Sequence, residues 1–547
     1  MANILTIGQT ALIAAQAGIN TAGQNIANAS TPGYSRQSVL QTAVTPQPLG
    51  FGYLGQGVQV SGIQRIYNDF LSTQKLSAQS VASQAQVQYD QIQQLNNMLA
   101  DSAEGLSPVM QDFFNNLQDV SVTPADVTSR ESALSSAAAL ASRFNDFQNR
   151  FNAVNNGVNT QLTTSVQTIN DGAKLLAALN QAIDRAQSSS NGQPANDLLD
   201  KRDQLIADLS KQVKVSVIKQ NDQYDVYIGN GQPLVVGATV HNLKITPSIT
   251  DPNKMEIAYE ANSQAIMTAD DLAGGALGGL LEFRQKTLEP TQNTVGLIAI
   301  GLADNINQLN KQGYGLNGSH NVEIFKLPAM IATPSKSNTG AASLQVTLSD
   351  SSKLTGSDYR LQKEGNNYLF TRIADNKLLI SSSALADVQS AANAEGINIV
   401  PSEAITGGDM FLIRPTAMIA GGMRLNTIQP SDIAAASVSS ASGDNSNILN
   451  MIALQTNKTL KGATISFQDA YAQMVSQVGS KTRELQLTSS SANSILGQAD
   501  TAIQNVSGVN LDEEAAALLR YQQAYQAAGK VMQIASQMFE TLLQQMN

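Results

Sequence analysis

Residues 511–546 read LDEEAAALLRYQQAYQAAGKVMQIASQMFETLLQQM, a run that contains no proline. Large apolar side chains recur in it every seven positions, at Leu511, Leu518, Tyr525, Met532, Phe539 and Met546. Small or neutral residues fall between them, at Ala515, Gln522, Gly529 and Ser536. This alternation is typical of the a and d positions of a coiled coil. The run therefore predicts one helix from about 511 to 546, on the order of 54 Å long at 1.5 Å per residue.

The start of this helix carries its own signal. Asn510 suits the N-cap position, and Glu513 suits the third helical position, so the two fit a capping box. The acidic run from Asp512 to Glu514 also favours the positive end of the helix dipole.

The other end of the chain has the same seven-residue spacing, at Leu5, Leu12, Ile19 and Ile26, with Gly8, Ala15 and Ala22 between. The first 35 residues contain no Asp, Glu, Lys or Arg, and Arg36 is the first charged residue. One helix of a globular bundle would show this spacing too, but a surface helix normally carries a charged face. We therefore expect the two termini to pack on each other and on further copies of the chain.

Composition excludes several classes of function. The chain has 547 residues, 14% of them charged, and a formal net charge of −10, which disfavours nucleic acid because a phosphate-binding surface is basic. There is no cysteine, and the start lacks the positive region of a cleavable secretory signal. No apolar stretch approaches the ~20 residues that span a bilayer. We expect no nucleic-acid partner and no membrane insertion.

Proline positions and residue periodicity predict an α+β fold. No proline occurs before Pro32, between Pro124 and Pro194, or after Pro430, so three long stretches are free to be helical. The run from Asp197 to Leu209 is predicted to be a solvated helix with one buried face. Period-two patterns indicate antiparallel strands on either side of the Asn221-Asp222 turn signal, and again around Leu344–Leu348, Tyr368–Phe370 and Phe411–Ile413.

These patterns predict four parts, with a terminal coiled coil, a long-helix bundle and inserted antiparallel β-rich domains. The expected parts are a terminal coiled-coil assembly domain (1–70 and 500–547), a helical bundle domain (71–210, 265–320 and 431–499), a small β insert (211–264) and an outer β-rich domain (321–430).

Searches for catalytic, cofactor and metal sites are negative. Gly50, Gly52 and Gly55 satisfy G-x-G-x-x-G, but the alternating strand pattern of 58–60 follows them instead of a helix, which favours a hairpin or a loop. His241 and His320 lie far apart, and no nucleophile or metal motif occurs. The prediction is therefore a protein that is not an enzyme, without catalytic, cofactor-binding or metal-binding residues.

The most specific local motif is the run 25–36, NIANASTPGYSR. Pro32 and Gly33 stop a helix there, and the amide side chains are suited to bonding freed backbone groups or a neighbouring subunit. The candidate assembly residues in this motif are Asn25, Asn28, Thr31, Gly33 and Tyr34. They join the heptad residues of both termini in the predicted assembly interface.

This motif closely resembles the N-terminal signature of the bacterial flagellar axial family, which includes rod, hook and hook-associated proteins. The runs 57–71, GVQVSGIQRIYNDFL, and 507–514, SGVNLDEE, are similar to family segments as well, so the resemblance covers about the first 70 and last 45 residues. The ending 34–37, the helix 197–209 and the total length look most like the hook-associated members.

The resemblance implies a structural subunit of the flagellum, exported through the type III apparatus and assembled as a helical ring between hook and filament. It implies hook protein, the second junction protein and an export chaperone as partners, and an extracellular location. The stripe Leu518, Tyr525, Met532 and Phe539 is suited to helix-in-groove binding by that chaperone. Three alternatives remain at this point: a hook or rod subunit, a type III-secreted coiled-coil translocator, and an enzyme carried by the β-rich insert.

Overall fold

The computed structural model describes residues 2–49, 52–101, 105–190, 192–220, 223–439 and 441–546. Within these residues, α-helices alternate with small antiparallel sheets, which confirms the α+β class. The helices are α1 (Ala2–Ala27), α2 (Asp69–Leu99), α3 (Leu106–Val122), α4 (Val127–Ser189), α5 (Asn196–Gln212), α6 (Gly275–Phe283), α7 (Glu289–Gln312), α8 (Leu385–Ala394), α9 (Ser446–Ala453), α10 (Phe467–Ser507) and α11 (Leu511–Met546).

The two terminal helices, α1 and α11, pack along each other. Gly8 of α1 faces Met532 and Gly18 faces Tyr521, so the helices run antiparallel. The bounds of α11 confirm the helix predicted from its heptads. Helix α1 ends at Ala27, just before the Thr-Pro-Gly turn that the sequence predicted as its stop.

The body is a bundle of long helices. Helix α2 lies against α10, and α4, with 63 residues, contacts α3, α5 and the loops of the chain's outer half. Phenylalanine side chains fill the centre of the bundle because they bury a large apolar area per residue. The fully buried ones on α3 and α4 are Phe113, Phe114, Phe144, Phe147 and Phe151.

The strands fall into three regions of the chain. The first holds β1 (Gln37–Ala43), β2 (Gln47–Leu49), β3 (Gly52–Leu54) and β4 (Val58–Arg65). The second holds β5 (Val215–Gln220), β6 (Gln223–Ile228), β7 (Gln232–Val236), β8 (Thr239–Val240), β9 (Leu243–Pro247), β10 (Met255–Tyr259) and β11 (Asn262–Met267). The third holds β12 (Phe325–Lys326), β13 (Ile331–Pro334), β14 (Leu344–Leu348), β15 (Tyr359–Glu364), β16 (Asn367–Arg372), β17 (Lys377–Ser382), β18 (Ile397–Pro401), β19 (Met410–Arg414) and β20 (Arg424–Leu425).

The first region forms the arm that follows α1. β1 pairs with β4, from Gln37 opposite Arg65 to Ala43 opposite Val58, and β2 pairs with β3. The described part of the G-x-G-x-x-G run therefore lies in a hairpin, as predicted, while Gly50 lies outside the described residues. Gly57 has φ +95° and packs against Ile7 and Thr10, which holds the arm against α1.

The other two regions are inserted into the helical chain. The second gives sheets of order β5-β6-β7-β8 and β11-β10-β9, and the third gives a five-stranded sheet of order β13-β19-β15-β16-β17. These strands confirm the period-two predictions, although the Asn221-Asp222 turn signal lies outside the described residues. The second region ends at Met267, three residues past the expected limit of 264. The four-part division itself stays a prediction.

A cluster of charged side chains joins the five-stranded sheet to the helices. Arg414 of β19 pairs with Asp251 and lies 3.4 Å from Asp358, and Lys254 Nζ lies 2.6 Å from Glu289 Oε1 at the start of α7. Burial raises the pKa of Asp358 to about 6, although the Arg414 guanidinium acts in the opposite direction. The segment 251–254 therefore connects the sheet to α7 through ion pairs, because Asp251 pairs with Arg414 and Lys254 pairs with Glu289.

Candidate assembly interface

The contact face between α1 and α11, here called the terminal seam, is built from small residues. A Cβ on Gly8 would lie 2.8 Å from Met532 Sδ, and a Cβ on Gly18 would lie 2.5 Å from the Tyr521 ring. Glycine at these positions therefore lets the Met532 and Tyr521 side chains lie directly against the backbone of α1. The other small residues buried on the two helices are Ala14, Ala15, Ala22, Ala528 and Ala535.

The large residues of the predicted heptads lie mostly at the edges of this seam. Leu5, Leu12, Ile19, Leu518 and Met532 are half-buried, while Ile26, Leu511, Tyr525 and Phe539 are exposed in the single chain. Met546 ends α11, and its side chain lies outside the described residues. On α11 the buried series is Glu514, Ala528 and Ala535, one residue before the small positions predicted from sequence. Both helices thus keep large apolar side chains that the described part of the chain leaves exposed.

The seam ends in a set of hydrogen bonds, here called the polar junction. Asn25, only 1% exposed, donates from Nδ2 to Glu514 Oε2 at 3.0 Å and to the Gln37 carbonyl at 2.9 Å. Its Oδ1 accepts from the Tyr34 hydroxyl at 2.8 Å and from the Gln37 amide at 2.9 Å. One asparagine therefore connects α1, the turn after it, β1 and α11.

Arg36 completes the junction from the other side. Its Nε donates to Glu514 Oε1 at 2.6 Å, its Nη1 donates to Glu513 Oε2 at 2.9 Å, and its amide donates to the Ser507 carbonyl at 2.9 Å. Asn510 caps α11 as predicted, accepting from the amide of Asp512 at 3.0 Å. The second half of the expected capping box stays a prediction, and the Glu513 carboxylate accepts from Arg36 through Oε2.

The turn of the 25–36 motif also rests on α5. Asp200 Oδ2 accepts from the Ser35 amide at 3.0 Å, and Gln37 Nε2 donates to Asp197 Oδ1 at 3.1 Å. Gly33 has φ +79°, a left-handed conformation that glycine adopts without strain, and a Cβ there would lie 2.7 Å from Gln204 Oε1. Asn28 and Thr31 stay local, since Thr31 Oγ1 donates to Asn28 Oδ1.

The prediction of a solvated helix at 197–209 is wrong in one respect. Asp200 and Arg202 are buried, and Arg65 of β4 donates to Asp200 at 2.9 Å and lies 2.7 Å from Asp203. Arg202 lies over the Tyr224 ring at 3.4 Å. These charges are buried because each meets an opposite charge or a ring face, which repays part of its desolvation.

The electrostatics of the junction follow from this concentration of carboxylates. Burial, together with the negative charges of Asp197, Asp200 and Glu514, raises the pKa of Tyr34 to about 12. Tyr34 is therefore a neutral donor at physiological pH, as its bond to Asn25 requires. Burial also raises the pKa of Asp203, against the pull of Arg65.

Sequence reasoning missed the acceptors Glu514 and Asp200 and the donor Arg65. All three lie within the motifs above, but none of them was predicted to be an interface residue. One signal was available, because Arg36 is the first charge after 35 uncharged residues and has to be paired if it is partly buried.

None of the described helices combines the length and apolar character required to cross a membrane. Among the described residues there is also no group of three or more histidine or acidic side chains suited to a metal ion. The geometry is that of a protein contact, with an apolar face, a close seam and a polar anchor.

Comparison with known proteins gives matches along the whole chain. Family models match residues 5–34 as flagella basal body rod protein, 92–325 as the helical domain of flagellar hook-associated protein FlgK, 333–415 as a D2-like domain of flagellar hook-associated protein 1, and 503–545 as the C-terminal part of flagellar basal body rod FlgEFG protein. Flagellar hook-associated protein 1 of Salmonella typhimurium is 33% identical over 99% of this chain and 100% of its own length. The chain belongs to the flagellar hook-associated protein 1 family.

Other members of the flagellar hook-associated protein 1 family agree with this. The Escherichia coli protein is 32% identical over 99% of this chain and all of its own, and the Bacillus subtilis protein is 25% identical over 98% and 97%. The structure of the flagellar hook junction protein FlgK from Burkholderia pseudomallei has a TM-score of 0.72 and 24% identity, over 80% of this chain and 100% of its own, and shows the same fold. The chain is thus a structural component of the flagellum, and its rod-type terminal segments mark it as an assembling subunit.

Proposed function

We propose that this chain joins the flagellar hook to the filament and polymerises there through its terminal helices. The observation that carries the proposal is the set of large apolar side chains that α1 and α11 leave exposed on more than one side. They are Ile4, Ile13 and Ile26 of α1, and Leu519, Ile534, Met538 and Leu542 of α11. A monomer has no reason to leave two long helices apolar on their outer side, whereas neighbouring copies would bury these residues.

The polar junction has a separate task in this proposal. It ties the terminal seam to β1 through Asn25, Arg36 and Glu514, while the Ser35 amide beside it binds Asp200 of α5, so that the helices leave the body in one fixed direction. A helical assembly requires this, because each subunit repeats the same interface and an error in direction would accumulate. The predicted assembly residues in the turn, Asn28, Thr31, Gly33 and Tyr34, would serve this positioning role.

The expected neighbours are the hook protein on one side and the second junction protein on the other, with export through the flagellar type III apparatus to the extracellular junction. An enzyme activity is not part of the proposal. Deleting the gene and examining the cells by electron microscopy tests it. Hooks without filaments and flagellin shed into the medium are expected. Absent hooks would indicate a rod or hook subunit, and normal flagella would favour the translocator.

We also propose that an export chaperone binds Leu518, Tyr525, Met532 and Phe539. Met532 packs against Gly8 in the folded seam, so the chaperone would bind α11 only while α1 is undocked. Replacing Tyr525 and Met532 by Asp should weaken binding of the cognate chaperone at least tenfold in a titration with the purified pair. Gln523→Asp, at an exposed position, is the control, and equal affinities for both variants would refute this site.

A further inference from the structure

A groove lies between α2 and α10 at a place that the polar junction and the terminal seam do not use. It encloses about 800 Å³, and of the described residues that line it none is charged. Phe70, Val81, Leu487 and Ile495 stand at its rim with half or more of their surface exposed, and Ala78 and Ala492 are buried at its floor. Large apolar residues around a floor of small ones form a shape that accepts the ridge of a helix.

The far end of α11 has the opposite shape. Since Gly8 faces Met532 and Gly18 faces Tyr521, the antiparallel register brings the start of α1 level with about residue 538. The last turns of α11 therefore extend beyond α1. Four exposed apolar residues lie on one side of this end of α11, at spacings of three or four positions, and we call them the C-terminal patch: Val531, Ile534, Met538 and Leu542.

We propose that the groove between α2 and α10 receives the C-terminal patch of a second copy of this chain. The two surfaces agree in length: Phe70 and Val81 are ~16 Å apart along α2, and Val531 to Leu542 covers ~16 Å along α11, at 1.5 Å per residue. They also agree in chemistry, because the residues that line the groove and those that form the patch are all uncharged. Phe70, at 75% exposure, is the most exposed apolar residue of the two surfaces and would gain most from being covered.

The two surfaces do not meet within one chain. Among the described residues, α11 packs along α1 and makes no extended contact with α2 or α10. A contact between different surfaces of identical chains is heterologous, and it generates a closed ring or an open helix. The groove and patch thus supply the head-to-tail contact that the proposed function requires, and the inference rests on that function.

Disulfide trapping tests the contact, because the chain contains no cysteine. Val81→Cys places a thiol in the groove, and Met538→Cys places one on the patch. Val127→Cys on α4 is the control, since Val127 and Val81 are both 51% exposed in the single chain. Full-length single variants are mixed in pairs at high concentration, oxidised, and resolved on non-reducing gels. The same pairs are trapped in sheared flagella from cells that express both variants.

The expected result is a disulfide-linked pair from Val81→Cys with Met538→Cys, at least tenfold above the pair from Val127→Cys with Met538→Cys. Equal yields would refute the groove, as would a Met538→Cys self-pair that exceeds the mixed pair, because the patch would then bind another patch. The wild-type gene is returned to the deletion strain in parallel. If the returned gene restores filaments but the mixed disulfide pair is absent, the groove contact is refuted and the proposed function is not. If filaments form without the gene, the proposed function is refuted.

Discussion

Replacing Glu514 by alanine should weaken the attachment of the terminal helices to the body, although it removes only one side chain. Glu514 is 3% exposed and accepts from Arg36 Nε at 2.6 Å and from Asn25 Nδ2 at 3.0 Å. Removing one partner of a buried ion pair costs about 3–5 kcal/mol. The expected loss is smaller, about 2 kcal/mol, because Arg36 is a quarter exposed and still pairs with Glu513 in the variant. Asn25 likewise still donates to the Gln37 carbonyl.

Hydrogen exchange of the α1 and α11 amides in the full-length protein measures this loss. A loss of about 2 kcal/mol corresponds to roughly 30-fold faster exchange in the helices that open together, because 1.4 kcal/mol is a factor of ten. Amides of α4 should be unaffected, since the body keeps its own core. Filament formation in the deletion strain should fall with the same variant.

Glu513→Ala is the matched control, because Glu513 binds the same arginine from an exposed position. An exposed ion pair contributes about 0.5 kcal/mol, so exchange should change less than threefold. Equal effects of the two alanine variants would refute the argument that burial makes Glu514 the anchor. An unchanged exchange rate in Glu514→Ala would show that the seam holds without the junction.

Two further predictions concern the seam and the charged cluster. Gly18→Ala should destabilise α1 by about 1–3 kcal/mol, because its Cβ would lie 2.5 Å from the Tyr521 ring. Gly23→Ala has nothing within 4 Å of its Cβ and should stabilise α1 by up to about 1 kcal/mol. Hydrogen exchange of the α1 amides measures both effects, and effects of the same sign would contradict the close seam. Asp358 has a folded pKa of about 6, above its unfolded value of about 3.9, so the wild type loses stability as pH rises through this range. Asp358→Asn should therefore increase the free energy of unfolding by about 2 kcal/mol at pH 8, measured as a higher melting temperature, and should have little effect at pH 4. A gain of the same size at both pH values would refute a buried, ionising Asp358.

Much of the site could be read from local sequence. The heptads, the capping residue Asn510 and the turn at Pro32-Gly33 determine where α1 ends and where α11 begins, because caps, prolines and apolar periodicity act within a few residues. The absence of charge in the first 35 residues indicated a helix that needs partners. The alternating strands were likewise visible, since side chains in a strand point to opposite faces.

Which residues form the seam was not visible in the same way. Seven-residue spacing occurs on more than one face of a helix, and the sequence analysis predicted that the face with the large apolar residues forms the seam. The structure buries Gly8, Gly18, Ala528 and Ala535 instead, since the closest approach of two backbones is available only where side chains are small. The large residues are left at the edges, where a neighbouring copy is able to reach them.

The sequence by itself determined the family, the helical ends and the polar turn between α1 and β1. Only the tertiary structure decided that Glu514 meets Asn25, 489 positions away in the chain, and that Asp200 of α5 meets the Ser35 amide. Such pairs leave no local pattern, because a buried carboxylate is stabilised by whichever donors the fold brings within about 3 Å of it. Periodicity records which face of a helix is buried, whereas the identity of the partner across that face depends on how the whole chain is packed.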